Sequence, residues 1–392
     1  MNTGRHPWER RGHPMRALAF TLLALMLALT GCTGSPSSPG TAATPGASTS
    51  QGGSAAPGPP STGAGQTAPA SPQIPEVTRK LDAGLQLPWS VVFLPDGTAV
   101  VSERDSAQVK SIRNEQTTTV GEVPGVDPGG EGGLLGLALS PDFATDRWLY
   151  AYFTAPGDNR IARMKLTGDT GGSLALGEAE VIFSGMPKAS THNGGRIRFG
   201  PDGFLYVGTG DSQRRDQPQD TNALGGKILR LTPEGRPATG NPFGNNPVYS
   251  YGHRNVQGLA WDSDGRLWAS EFGPDVDDEL NLITPGGNYG WPTVTGAPGR
   301  SDLIDAKVVW PSTSDASPSG LEIVDGVAYT GALRGQRLWA VPLDGETAGT
   351  PVAYFTGQYG RLRDVARAPD GTLWVISNNR NPDFALILRV AP

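Results

Sequence analysis

The 392-residue chain has one cysteine, Cys32, and four histidines, of which only His192 and His253 follow it. A single thiol cannot close an internal disulfide, and two histidines without a second cysteine make no zinc centre. No glycine-rich fingerprint opens a strand–helix unit and no phosphate-loop motif occurs. Their absence excludes most nicotinamide and nucleotide chemistry. There is no basic run, and the formal net charge is −6; nucleic acid is therefore not an expected partner. No long amphipathic helical pattern appears, while Gly (55) and Pro (35) are abundant, which points to many short strands joined by turns.

The one long apolar run, Ala17 to Leu29, follows Arg5, Arg10, Arg11 and Arg16. It is too short to span a bilayer comfortably and has the flanks of a signal-peptide core. It ends in Leu29-Thr30-Gly31-Cys32, which resembles a bacterial lipobox. Residues 1–31 are read as a lipoprotein signal peptide and Cys32 as the lipidated first mature residue. Residues 32–73, dominated by Gly, Ser, Thr, Ala and Pro, are read as a disordered linker. The chain is thus expected to be extracytoplasmic, anchored to the outer face of the bacterial cell membrane, with its folded domain over 74–392.

Within that domain one pattern recurs: an apolar strand, a turn built on Asp-Gly or Pro-Asp, and a second apolar strand. It is centred on Pro95-Asp96-Gly97, Pro141-Asp142, Pro201-Asp202-Gly203, Asp264-Gly265, Asp325-Gly326 and Pro369-Asp370-Gly371. Third strands follow most of these, such as Lys227–Leu231 and Arg337–Val341. Six such repeats predict an all-β, six-bladed β-propeller of four-stranded antiparallel blades. The last repeat lacks a fourth strand; Glu76–Leu81 is expected to supply it and close the ring. A decorated β-sandwich fits six equivalent repeats poorly.

The third hairpin carries the chemistry. His192 and Asp211 lie nearly equidistant from the turn at Pro201-Asp202-Gly203, so antiparallel pairing brings them together at its open end. A carboxylate beside an imidazole fixes its tautomer and raises its basicity, as a general base requires. His253 and Arg254 lie in the polar segment Tyr251–Gly258; Arg254 fits an oxyanion or an anionic ligand, and the alternative is a loop knitted by its own hydrogen bonds. Glu271–Glu279 gathers carboxylates suited to a hard cation such as Ca²⁺, or forms a solvated acidic turn. Arg361 and Arg363, at strand spacing, share one face. With Arg254 and Arg334 they fit a polyanionic small ligand, unless each pairs with a neighbouring carboxylate such as Asp364.

Taken in order, Gly130–Phe143, His192–Gly195, Gly252–Gly258, Gly273-Pro274 with Asp278-Glu279, Asn288–Pro292 and Arg361–Asp364 resemble the soluble PQQ-dependent glucose/sorbosone dehydrogenase family, closest to its aldose sugar dehydrogenases. The resemblance implies a six-bladed propeller with pyrroloquinoline quinone (PQQ) and Ca²⁺ as cofactors. His192 would take the anomeric hydroxyl proton of an aldose, Asp211 would orient it, and the C1 hydride would pass to the quinone, giving a lactone. Arg254 and Asn255 would contact quinone and substrate. Glu131 stands where the glucose-specialised members carry Gln, and Arg334 near their Lys over the cofactor. Arg361 and Arg363 would pair with the cofactor's three carboxylates. The carbonyls of Gly273 and Pro274 would hold Ca²⁺, and Glu279 with the backbone of Tyr289 resembles a second calcium site. Electrons would leave to a membrane acceptor, and shortened dimer loops imply a monomer. Other readings of the residues are a calcium-dependent lactonase or a non-catalytic binding propeller.

Overall fold

The computed structural model describes residues 72, 74–168, 172–380 and 383–390. The signal peptide, Cys32 and all of the linker but Pro72 lie outside the described residues. Six antiparallel sheets form the blades. Blade one pairs Pro88–Phe93, Ala99–Glu103, Gln108–Arg113 and Gln116–Glu122. Blade two starts with Leu134–Leu139 and Trp148–Thr154, blade three with Ile197–Phe199 and Leu205–Gly208. Blade four starts with Val256–Trp261 and Leu267–Glu271, blade five with Pro318–Val324 and Val327–Ala332. Blade six runs from Leu362–Arg367 through Leu373–Ser377 and Asp383–Arg389 to Glu76–Leu85 at its outer edge. Glu76 there faces Arg389 and Lys80 faces Leu386, so the N-terminal strand closes the ring as expected and runs on to Leu85. Blades two and five each add a two-residue strand, Ala175–Leu176 and Thr347–Ala348. Helix among the described residues is confined to the single turn Phe143–Asp146.

One turn geometry serves four blades. Gly97 N donates to Leu94 O at 2.9 Å, Gly203 N to Gly200 O at 3.0 Å, Gly265 N to Asp262 O at 3.0 Å and Gly371 N to Ala368 O at 2.9 Å. Each of these glycines has φ between 78° and 85°, a conformation that other residues adopt only at a cost. The first, third and sixth hairpins add an aspartate that accepts from the amide two residues on, as Asp370 does from Thr372 at 2.9 Å. Blade five uses a two-residue Asp325-Gly326 turn, both residues at positive φ, the form that matches strand twist.

Apolar side chains pack between neighbouring blades in six buried clusters. Val100 and Val109 of blade one meet Leu134 and Leu149 of blade two, and Leu81 and Ile376 of blade six meet Val91 and Val101 of blade one. The inner strands leave an axis crowded with backbone, and its filling is polar. Arg196, 6% exposed, donates to Asp364 Oδ2 at 2.9 Å, Ser90 Oγ at 3.2 Å and Gln257 O at 2.8 Å, and stacks on Trp89 at 4.4 Å. Removing one partner of a buried ion pair leaves an uncompensated charge: Asp364→Ala is expected to destabilise the propeller by about 3–5 kcal/mol. Urea unfolding measures it, and a loss near zero would contradict this role for the axial pair.

Candidate active site

The site lies where inner strands begin and second strands end, so every blade sends a loop to one mouth of the axis. His192 precedes blade three and Arg254 precedes blade four. Phe272–Pro274, Arg334 and Arg380 follow the second strands of blades four, five and six. They line a cavity of about 360 Å³, together with Trp89, Arg104, Glu131, Asp278, Arg361 and Arg363.

His192 Nδ1 lies 2.8 Å from Asp211 Oδ1, as the hairpin pattern predicts. Arg254 Nη2 lies 2.8 Å from His192 Nε2. A guanidinium only donates, so Nε2 is the acceptor and Nδ1 carries the proton that Asp211 receives. Asp211 is 1% exposed. Burial raises its pKa, but hydrogen bonds from His192, the Gln213 amide and Trp291 Nε1 outweigh burial and hold it below the usual carboxylate range. The Trp291 bond, to Oδ2, is 2.8 Å.

Backbone closure sets this arrangement. Asp211 N donates to Arg254 O at 2.7 Å, and Gly210 bridges to Asn255, so the loops entering blades three and four are zipped together. His192 adopts φ 60°. Its amide is held by Glu131 Oε2 at 2.8 Å and its carbonyl by the Ser212 amide at 3.1 Å. A Cβ on Gly210 would stand 1.8 Å from that carbonyl oxygen, so only glycine fits there.

Arg361 and Arg363 share the cavity wall, as strand spacing requires. Pairing with Asp364 does not occur, because Arg196 occupies that carboxylate. Arg363 instead meets neutral groups, Gln257 Oε1 at 2.8 Å and Asn378 Oδ1 at 3.4 Å. Burial, then the neighbouring Arg361 and Arg104 guanidiniums, push its pKa down to about 9. Arg361 is lowered by burial and by Arg380. Both remain cationic at neutral pH under mutual repulsion that a bound polyanion relieves. Among the described residues the Nε atoms of Arg254 and Arg363, both on the cavity wall, are buried donors without partners, a pair that suits an acceptor-rich ligand. Asn255 Oδ1 accepts from Gly194 N at 2.9 Å, and the residue is not on the cavity wall. Arg334 is exposed and donates to Thr313 Oγ1 at 3.1 Å.

The acidic run divides between two places. Asp278 and Glu279 are neighbours on the strand Asp278–Ile283 and face opposite sides. Asp278 accepts from Gly273 N at 2.8 Å and Ser317 N at 2.6 Å, whereas Asp277 accepts from Thr295 Oγ1 at 2.6 Å. Among the described residues no three His, Cys, Asp or Glu side chains gather as a cation site. A cation at the cavity would therefore take backbone oxygens, and the Gly273 and Pro274 carbonyls accept no hydrogen bond among the described residues. Glu279 and Tyr289 line a separate void of about 10 Å³ with Glu271 and Thr295, room for one ion or water. Burial, then Glu271, raises the pKa of Glu279; that is the state of a carboxylate short of positive charge.

His253 is structural. It is fully buried, bonded through Nδ1 to Glu271 and through Nε2 to Ser250, both at 2.8 Å. This Ser–His–Glu chain resembles a hydrolytic triad, yet Ser250 is 0% exposed and meets no substrate. Glu271 also accepts from the Arg254 amide, so the chain holds Arg254 in place.

The glucose/sorbosone dehydrogenase profile matches residues 85–387. The chain belongs to this family. It is 50% identical to the PQQ-bound aldose sugar dehydrogenase of Streptomyces coelicolor, with a TM-score of 0.80 over 83% of this chain and 100% of that one. Aldose sugar dehydrogenase YliI of Escherichia coli is 29% identical across 79% of this chain and 91% of its own. Quinoprotein glucose dehydrogenase B of Acinetobacter calcoaceticus is 32% identical across 63% of this chain and 59% of its own.

Against this family background, sequence reasoning missed Trp89, Arg104, Trp291 and Arg380. Arg104 and Arg380 had a usable signal: like Arg334, each follows the second strand of its blade. Trp291 had none, since a loop outside the hairpin brings it to Asp211. Trp291→Phe leaves a buried carboxylate oxygen short of a donor and is expected to cost about 1–3 kcal/mol at neutral pH. A carboxylate with a lowered folded pKa stabilises above its unfolded pKa of about 3.9, and that stabilisation is lost as pH falls through the folded value. The gap between variant and parent therefore narrows in acid. Unfolding near pH 7 and near pH 3 tests this; a constant gap would contradict it.

Proposed function

We propose that this chain is a PQQ- and calcium-dependent aldose sugar dehydrogenase that oxidises the anomeric carbon to the lactone and passes electrons to an external acceptor. The observation that carries the reading is one cavity holding both a neutral His192, oriented by buried Asp211, and the carboxylate-free pair Arg361 and Arg363. PQQ, when bound, supplies the quinone that accepts the C1 hydride; Ca²⁺ supplies a Lewis acid beside it. The Gly273 and Pro274 carbonyls are the ligands for that ion, and Glu279 with Tyr289 for a second. Arg361 and Arg363 are the clamp for the cofactor carboxylates.

His192 Nε2 takes the proton of the C1 hydroxyl, and Asp211 stabilises the imidazolium that forms. The single lone pair of Nε2 is engaged by Arg254 Nη2, so Arg254 must release it when the sugar hydroxyl arrives. The freed guanidinium then faces the oxygen on which negative charge develops. A lactonase leaves the clamp without a purpose, and a non-catalytic propeller has no need of an intact His–Asp–Arg set.

Two variants separate the roles. His192→Ala is expected to lower turnover by about 10²–10⁴-fold while PQQ affinity stays near that of the parent; unchanged turnover would remove His192 as the base. Arg361→Ala with Arg363→Ala is expected to weaken PQQ binding by at least about 10²-fold, given roughly 1.5–3 kcal/mol per charged hydrogen bond. Equal affinity in a calorimetric titration would refute the clamp.

The lipobox and linker support a lipoprotein on the outer face of the cell membrane, delivering electrons to a membrane acceptor, and the shortened dimer loops support a monomer. Cys32→Ser is expected to move the protein from the membrane to the soluble fraction; retention in the membrane would count against the anchor.

A further inference from the structure

The reaction assigned above leaves one buried ion without a task. Lys227 opens Lys227–Leu231, the third strand of blade three, and is 0% exposed. Its Nζ donates to the carbonyls of Gln217 at 2.7 Å, Pro218 at 3.1 Å and Gly225 at 2.7 Å. Three acceptors use the three protons of an ammonium. The loop 212–226, which leaves Asp211 and returns to Lys227, is thereby folded around a point charge. Burial pushes the pKa of Lys227 down to about 7, and the exposed Asp220 opposes it. An apolar side chain of similar length would carry no such desolvation cost. What the charge provides in return is the shape of the loop, since without it three carbonyl dipoles would converge on one point.

That shape reaches the catalytic hairpin by two hydrogen-bonded routes. In the first, Gln219, next to the held Pro218, donates through Nε2 to Trp291 O at 2.7 Å and to Asn288 Oδ1 at 3.0 Å, and accepts from Asn288 Nδ2 at 2.9 Å. Trp291 in turn donates from Nε1 to Asp211 Oδ2. In the second, Pro218 O also accepts from Gly252 N at 2.9 Å, and Gly226 O accepts from His253 N at 3.2 Å, which fixes the segment entering Arg254. Both routes begin on or beside the carbonyls that hold the ammonium, and they end at the two partners of His192.

We propose that Lys227 is a positioning residue for the oxidation: its ammonium takes the place of a bound cation, orders loop 212–226 and, through Gln219 and Trp291, holds Asp211 against His192 Nδ1. This rests on the dehydrogenase reading. Lys227 is not on the cavity wall and takes no part in proton or hydride transfer. It acts on the rate because His192 Nε2 is free to accept the C1 hydroxyl proton only with Nδ1–H turned to Asp211. A small displacement of that pair slows the chemistry without removing the contacts that bind sugar or cofactor.

The test uses the purified protein with and without PQQ and CaCl₂. Lys227→Met removes the charge and keeps the length. It is expected to lower kcat by about 10–100-fold, while KM for the aldose and PQQ affinity stay near those of the parent. In the cofactor-free protein, hydrogen exchange followed by NMR reads the indole Nε1–H of Trp291, assigned with Trp291→Phe. That proton is expected to exchange faster by about 10-fold or more. Trp268, fully buried in blade four and bonded through Nε1 to Asp262 at 3.0 Å, is expected to keep the parental rate. Gln219→Ala, at a half-buried residue, cuts the first route and leaves the ammonium in place. It covers the case in which Lys227→Met fails to fold, and is expected to give both signatures in weaker form. A parental kcat in the variants, or exchange that quickens alike at Trp291 and Trp268, would leave Lys227 a role in stability alone and overturn the inference. Turnover of no aldose by the parent would overturn the dehydrogenase reading. Unchanged Trp291 exchange would overturn the present inference even where the parent turns over.

Discussion

The guanidinium of Arg196 sits where the inner strands of the blades converge, and the chemistry above it depends on how that charge is settled. Asp364 neutralises it, Ser90 and Gln257 take its remaining donors, and Trp89 lies against its face. The same Gln257 accepts from Arg363 through its side chain. Trp89 and Gln257 belong to the cavity wall, whereas Ser90, Arg196 and Asp364 line a second cavity of about 640 Å³ at the other end of the axis. The floor of the site is thus a single polar layer. Because Asp364 is committed below that floor, Arg361 and Arg363 stand above it without a carboxylate. A neighbour in sequence is withheld from them by a partner from another blade.

That division explains what was readable from the chain. The hairpins were legible because strand alternation and Asp-Gly turns are local, and the pairing of Ile197 with Val207 follows from the turn alone. His192 and Asp211 were legible for the same reason, being the two ends of one hairpin. Arg361 and Arg363 were legible as a pair through strand period. What resisted was the set of side-chain contacts that the closed ring brings together across blades. The fate of Asp364, the approach of Trp291 to Asp211 and the arrival of Arg104 and Arg380 at one rim are contacts between blades. The acidic run divides for a different reason: strand alternation sends Asp278 and Glu279 to opposite faces, and adjacency in sequence concealed it.

The electrostatics agree with the chemistry proposed. Buried guanidiniums held together by neutral partners are under repulsion before any ligand arrives, so a polyanion gains both its own contacts and the relief of that strain. His192 is neutral and oriented in advance, since Asp211 accepts from Nδ1 and is itself fixed by Trp291. Arg254 joins the two regions, touching His192 on one side and the Phe272 carbonyl beside Gly273 and Pro274 on the other. The buried Ser250–His253–Glu271 chain shows how geometry alone misleads. It has triad distances but no access, and its work is to brace the loop that carries Arg254.

The most direct test of the account is dye reduction by the purified protein over a panel of aldoses, with PQQ and CaCl₂ supplied separately and together. The account predicts turnover only when both are present and its loss on chelation with EDTA. Turnover without PQQ, or none with any aldose when both are bound, would contradict it.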